Sequence, residues 1–195
     1  MNPKTFMFYG RSGCGKGTQA QLLIKHLETL DPQNQVVYIE TGAKLREFVQ
    51  KGGFTQEITA KVMAEGGLLP SFLPIWIWTD IFVNNLKKEE NLVLDGLCRR
   101  VEEAPILDDA LKFYGRKTPI IIILNVSKEW SKKHLLARGR GDDKDEDIEE
   151  RLTWYETNVA PTIDFFKKNN YYKVIDINGE QAIEKVQADI VAAIS

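Results

Sequence analysis

Five short apolar runs punctuate this chain, each separated from the next by enough residues for a helix, and that rhythm constrains the fold more than any other feature. The runs fall at 5–9, 36–40, 92–95, 120–125 and 172–176. They are apolar at consecutive rather than alternate positions, as strands buried on both faces are, and such strands belong to parallel sheets closed by crossover helices. Helix-period segments at 16–30, 43–51, 55–65, 74–86, 100–114, 128–137, 145–169 and 180–193 supply those crossovers, several of them opened by Thr, Ser or Asp. The expected fold is α/β, a five-stranded parallel sheet with helices on both faces. One connection is overlong. Residues 41–91 hold three helices where one would suffice, and the surplus projects as a small subdomain over the strand ends. A second excursion is the glycine- and charge-rich segment 138–147.

Composition narrows the class further. With 195 residues, 43% of them apolar and 28% charged, the chain suits one globular domain that needs neither disulfides nor a structural metal. Lys and Arg number 26 against 28 Asp and Glu, a formal charge of -2, so the basic excess of a nucleic-acid or polybasic membrane binder is missing. Cys14 and Cys98 are too few for a disulfide framework or a thiolate zinc site, and the apolar run at 6–9 is too short for an export signal. The expectation is a cytoplasmic protein with no nucleic-acid or membrane partner.

Directly after the first strand stands Gly10-Arg11-Ser12-Gly13-Cys14-Gly15-Lys16-Gly17-Thr18, which fits the phosphate-loop pattern of glycine, four residues, glycine, lysine. Glycines let the backbone curl so that successive N–H groups converge on a phosphate, the next helix adds its positive end, and Lys16 adds a mobile charge. The rival dinucleotide fingerprint fails, because its third glycine falls on Thr18. Gly17 replaces the hydroxyl that usually touches magnesium, which leaves Thr18 or water to serve the ion. Asp95 ends the third strand, where a carboxylate faces such a loop and holds magnesium waters; read alone, Asp95-Gly96 is equally a turn. Arg46, Arg99, Arg138, Arg140 and Arg151 all fall near strand ends or on the two excursions. Phosphoryl transfer spreads charge over several oxygens, and planar guanidinium groups at several angles align and stabilise them. Any one of these arginines taken alone reads as a surface ion pair.

With these residues in place the chain resembles the adenylate kinases, nearly end to end. Gly10 to Gln19 matches the family's phosphate loop, Thr41-Gly42-Ala43-Lys44-Leu45-Arg46 its monophosphate motif, and Asp95-Gly96-Leu97-Cys98-Arg99 its Asp-Gly-Phe-Pro-Arg. Arg138-Gly139-Arg140 followed by Arg151 keeps the order of the lid arginines, and Val174 to Gly179 resembles the last strand and adenine-facing loop. The resemblance implies a P-loop nucleoside monophosphate kinase fold with a core of 1–40, 92–133 and 148–195, a monophosphate-binding insert at 41–91 and a short lid at 134–147. It implies reversible transfer of the terminal phosphoryl of Mg-ATP to AMP, giving two ADP. An AMP phosphate is already anionic, so no general base is required.

Carried over by position, Gly13, Cys14, Gly15, Lys16, Gly17 and Thr18 would hold the ATP phosphates, with Arg138 also on ATP, His134 stacking on the donor adenine and the Gly179 carbonyl meeting it. Arg46, Arg99, Arg140 and Arg151 would grip the monophosphate and the transferred group. Thr41, Gly42, Gly67, Leu68, Leu69, Gly96 and Glu103 would surround the acceptor nucleoside, and Thr18 and Asp95 would serve magnesium through water. The catalytic set is Lys16, Arg99, Arg138, Arg140 and Arg151.

Five departures accompany the match. Ala43 removes a carboxylate from the magnesium water network, Leu97-Cys98 replaces Phe-Pro, and His134 replaces an arginine. The lid, with one residue between Arg138 and Arg140, is too short to bind zinc. Glu103 stands where the family carries a base-reading glutamine. An ionised glutamate accepts from the adenine N6 amino group but faces the N1 lone pair, whereas guanine offers it two donors. The expectation is AMP as main acceptor with GMP tolerated; a solvent-facing Glu103 paired with Arg100 is the alternative. A kinase of several monophosphates and a non-catalytic nucleotide-binding module are the other readings. The segment 68–83 carries 11 apolar residues in 16, which fits a monomer with a deep local core or a homo-oligomer joined through that segment.

Overall fold

The computed structural model describes residues 3–139 and 145–194. In β1 (Thr5–Gly10) every residue is buried, and successive side chains leave on opposite faces. Phe6 and Phe8 pack against Leu23, Leu27, Val186 and Ile190, while Met7 and Tyr9 pack against Trp78, Phe82, Leu107 and Phe166. The isoleucine run of β4 (Ile120–Asn125) splits the same way, Ile120 and Ile122 to the first cluster, Ile121 and Ile123 to the second. Each such side chain stabilises the fold by roughly 1.5–3 kcal/mol only when covered, so both sheet faces recruit helices.

The strands lie in the order β2 (Val36–Glu40), β3 (Asn91–Asp95), β1, β4, β5 (Lys173–Asn178), all parallel. From β1 the chain runs to the β2 edge, and from β3 it passes back across β1 to β4, which opens a crevice where the connections diverge. The register sets Phe8 and Glu40 each beside Asp95, so β2 and β3 finish level at that crevice and β1 runs two residues further, to Gly10. Helix α1 (Lys16–Leu30) leaves the glycine loop, and α2 (Thr41–Gln50), α3 (Phe54–Ala64) and α4 (Phe72–Asn85) fill the connection from β2 to β3. Within 68–83 the apolar residues divide. Leu69, Leu73, Ile77, Trp78 and Phe82 are buried, and Phe72, Trp76 and Val83 are exposed.

Two long helices expected from the sequence are broken in the structure. The segment 100–114 begins as a tight 3-10 turn, Val101–Glu103, before α5 (Ala104–Phe113), with Pro105 in its first turn where no N–H is missed. The segment 145–169 divides into α7 (Asp145–Trp154), a π turn over Tyr155–Val159, and α8 (Ala160–Lys167). Pro161 is the physical reason: it has no N–H to donate into the preceding turn and its ring crowds the carbonyl four residues back, so the helix widens there. Helix α6 (Lys128–Arg138) is capped by the Ser127 hydroxyl, which accepts the Trp130 N–H at 3.2 Å. The expected last strand starts one residue later and runs two residues further, to Asn178; Tyr172 stays outside it, its ring packed on Phe166 and its hydroxyl donating to Asp108 at 2.8 Å. Helix α9 (Ile183–Ile194) covers the sheet beside α1. No helix among the described residues is long and apolar enough to cross a membrane, and Cys14 and Cys98 are free thiols.

Candidate active site

At the strand ends a cleft of about 670 Å³ is lined by the glycine loop, the ends of β1, β2 and β3, the first turn of α2, the 66–69 loop, and parts of α6 and α7. The loop takes its shape from backbone that only glycine adopts comfortably. Gly10 sits at φ +144°, where a Cβ would come within 2.6 Å of both the Cys14 Sγ and the Leu124 carbonyl. Lys16 curls back over the loop and donates to the carbonyls of Gly10 at 2.8 Å and Arg11 at 2.9 Å. Gly13, Gly15, Lys16, Gly17 and Thr18 line the cleft. Cys14 does not: its side chain is buried in the core on the α1 face, and its thiol lies 3.7 Å from the Lys16 Nζ.

Asp95 forms the floor. It is buried, it lines the cleft, and its Oδ2 accepts from the Tyr38 hydroxyl at 3.3 Å. Burial pushes its carboxyl above the usual range, opposed by the Lys16 ammonium and raised further by Glu40. A buried carboxylate destabilised in this way, with the Thr18 hydroxyl on the same cleft, suits a hard divalent cation that keeps its waters and borrows phosphate oxygens. Among the described residues no three His, Cys, Asp or Glu side chains gather closely enough to hold a metal by themselves. Ala43 leaves the first turn of α2 without an acid.

Three arginines converge from separate parts of the chain: Arg46 from α2, Arg99 from the loop after β3, and Arg151 from α7. Arg46 pairs with Glu40 at 2.9 Å. Arg99 donates to the Gly96 carbonyl at 3.3 Å and lies over the Trp154 ring, its guanidinium carbon 5.6 Å from the centroid. Burial pulls the Arg99 pKa down, and the nearby Arg151 charge pulls in the same direction against Asp95 and Glu103. A buried Arg151 and a half-buried Arg99 that repel each other form a place where an anion is favoured. Arg138 reaches the cleft from the end of α6, and Arg140 lies outside the described residues, as does the 140–144 part of the expected lid.

On the acceptor side, Thr41, Gly42, Gly67, Leu68, Leu69, Gly96 and Glu103 all line the same cleft. Thr41 is the first residue of α2, and its buried Oγ1 has no hydrogen-bond partner. The alternative of a solvent-facing Glu103 paired with Arg100 is corrected. Glu103 is 2% exposed, and Arg100 instead donates to the Leu69 carbonyl at 3.2 Å and the Leu68 carbonyl at 3.3 Å. On the donor side, His134 stacks on Trp130 with ring centroids 4.4 Å apart, and the Trp130 carbonyl 2.8 Å from Nδ1 fixes a proton on that nitrogen. Its outer face remains on the cleft. Gly179 packs behind the loop instead of lining the cleft; a Cβ there would come 2.7 Å from Val126 and 3.7 Å from the Cys14 carbonyl. The Cys98 thiol is buried and pushed up by that burial, which makes it a poor nucleophile.

Sequence reasoning missed Tyr9, Tyr38, Glu40 and Trp154. Trp154 joins two distant parts of the chain, since its indole N–H donates to the Gly66 carbonyl at 3.1 Å while its ring lies beneath Arg99. Glu40 and Tyr38 carried a usable signal, their position at the end of a strand that leads into Thr41-Gly42. Tyr9 and Trp154 carried none beyond apolar periodicity.

A family model described as adenylate kinase matches residues 8–171. The adenylate kinase of Phocaeicola vulgatus is 30% identical over 192 residues, covering 96% of each chain. Adenylate kinase 1 of Nostoc sp. is 31% identical over 191 residues, covering 96% of this chain and 97% of its own. The adenylate kinase of Leptospira biflexa is 33% identical over 195 residues, covering 98% and 100%. A match of this extent, over a chain whose parallel sheet and glycine loop carry the lysine, aspartate and arginines into one cleft, makes this chain a member of the adenylate kinase family and an ATP:AMP phosphotransferase.

Proposed function

We propose that the glycine loop and Lys16 hold the phosphates of Mg-ATP, that Arg46, Arg99 and Arg151 hold the phosphate of AMP, and that the terminal phosphoryl passes in line between them to give two ADP. The observation that carries this reading is the convergence of Lys16, Asp95 and those three arginines on one cleft. The metaphosphate-like transition state asks for charge at several angles and for little covalent help, and the AMP phosphate is anionic without a base. Lys16 exchanges two neutral carbonyl partners for phosphate oxygens. Arg99 and Arg151, poorly solvated and mutually repelling, gain most from the dianion they would share. Magnesium neutralises charge on the terminal phosphates when bound; Asp95 and Thr18 would hold its waters.

In this reading 41–91 is the monophosphate-binding insert and 134–147 a short lid, with Arg138 on the donor side, Arg140 joining Arg46, Arg99 and Arg151 on the monophosphate and the transferred group, and His134 presenting its outer face to the donor base. Gly179 would act through the shape of the loop it backs. The free thiols support a cytoplasmic setting. Burial of Leu69, Leu73, Ile77, Trp78 and Phe82 in local core supports a monomer, which concentration-dependent sedimentation would contradict. The test of function is coupled detection of ADP from Mg-ATP and AMP, with GMP, CMP and UMP in parallel. Turnover with AMP in preference to the others supports the reading. Nucleotide binding with no ADP formed would make the chain a binding module instead.

A further inference from the structure

The acceptor end of the cleft contains an ionisable group that the transfer chemistry does not use. Glu103 sits in the 3-10 turn ahead of α5, almost fully buried, and lines the cleft. Its carboxyl accepts the Arg99 backbone N–H at 3.3 Å and is also bonded by the Arg100 backbone N–H. The same wall carries two further buried polar atoms with no partner, the Tyr9 hydroxyl and the Thr41 Oγ1. A flat ligand with donors and acceptors along its edge is what such a wall lacks.

We propose that Glu103 selects the acceptor base through its own protonation, pairing with adenine as a carboxylic acid and with guanine as a carboxylate. As the acid it donates its O–H to adenine N1 and accepts from the N6 amino group, the pattern an amide would make. As the carboxylate it accepts from guanine N1–H and the N2 amino group. The inference rests on the reading of this end of the cleft as the AMP site. Binding of AMP then takes a proton from solvent onto the ionised fraction of Glu103, and binding of GMP releases one from the protonated fraction.

The surroundings make both forms accessible. Burial pushes the Glu103 carboxyl up to about 7, against the Arg99 charge and the two backbone N–H groups, with Glu102 adding to the rise. Facing it are the Tyr9 phenol from β1 and the Cys98 thiol from the loop after β3, both pushed up by burial and therefore neutral near pH 7. Arg99 stays cationic, since its depressed pKa starts from 12.5. Of these groups, the Glu103 carboxyl is the one that changes charge near neutrality.

The test is the ratio of kcat/KM for AMP to that for GMP, measured from about pH 6 to about pH 8.5 on the parent and on Glu103→Gln. Phosphate ionisation and arginine contacts are common to both acceptors and cancel in the ratio. The parent ratio falls as pH rises, by up to about tenfold per unit around pH 7, and the Gln variant gives a high ratio that does not move. A parent ratio as flat as the variant's overturns the proposal. Calorimetry on the parent alone, in buffers of different ionisation enthalpy, gives a second readout: AMP binding takes up more protons than GMP binding near pH 7. Equal uptake also overturns it. A parent that phosphorylates neither acceptor at any pH refutes the AMP-site reading itself, an outcome distinct from AMP turnover with a pH-independent ratio.

Discussion

Lys16 is the residue whose removal separates chemistry from folding most cleanly. Its ammonium is hydrogen-bonded within the loop, to the carbonyls of Gly10 and Arg11 and to the Cys14 thiol, so Lys16→Ala leaves the thermal unfolding midpoint near the parent's and lowers kcat by on the order of 10³ or more; near-parent turnover would contradict its role. Gly10→Ala does the opposite. With a Cβ 2.6 Å from a backbone carbonyl at φ +144°, it costs on the order of 1–3 kcal/mol in urea unfolding. Glu103 adds a pH signature to stability. Its folded pKa lies near 7 and its unfolded value near ~4.3, so between those values the folded state binds more protons and stability falls as pH rises. The midpoint of Glu103→Gln relative to the parent therefore climbs from about pH 4.5 to about pH 7 and levels off above. A difference that is flat across that window would show that burial does not hold the carboxyl protonated.

At this scale the sequence was legible wherever chemistry imposes a residue type at a fixed spacing. Lys16 and the loop glycines stand in one short motif, and Asp95 and Arg99 flank one turn. The orientation of Glu103 was not legible, because a glutamate in a 3-10 turn faces solvent or cleft according to what packs beside it. Here Arg100 turns away to Leu68 and Leu69, and Glu103 is left inside. Tyr9 looked like any other apolar strand residue until its hydroxyl proved to be buried on the cleft wall.

Among the secondary elements, the strands were readable because two-sided burial leaves an unmistakable apolar run, and α1 because a glycine loop starts it and Asp31 closes it. The break between α7 and α8 escaped sequence reasoning because a π turn has no periodicity of its own, and Pro161 reads as harmless in a polar stretch. The junction between α5 and β4 also depends on a contact invisible to local reasoning. Arg116 donates to the Glu90 carbonyl at 2.6 Å and to its carboxylate at 3.0 Å, with both side chains almost fully buried. Removing one partner strands the other charge without water. Glu90→Ala is expected to cost about 3–5 kcal/mol in denaturant unfolding. A loss below about 1 kcal/mol would mean that solvent reaches Arg116 when its partner is gone.

Across the whole molecule, the arginines reach the cleft from α2, the β3 loop and α7, so a bound pair of nucleotides must draw separate segments together. A bisubstrate mimic joining two adenosines through phosphates should bind far more tightly than ATP. It should also slow amide exchange in α2, α3 and the end of α6 while leaving β1 and β4 unchanged. No added protection in those helices would rule out closure. The most direct measurement traces a label from the terminal phosphate of ATP through a single turnover with excess AMP and magnesium. Transfer within the cleft places that label in the β-phosphate of ADP made from AMP, with little released as inorganic phosphate. Label recovered mainly as inorganic phosphate, or left in ATP while both nucleotides are bound, would contradict it.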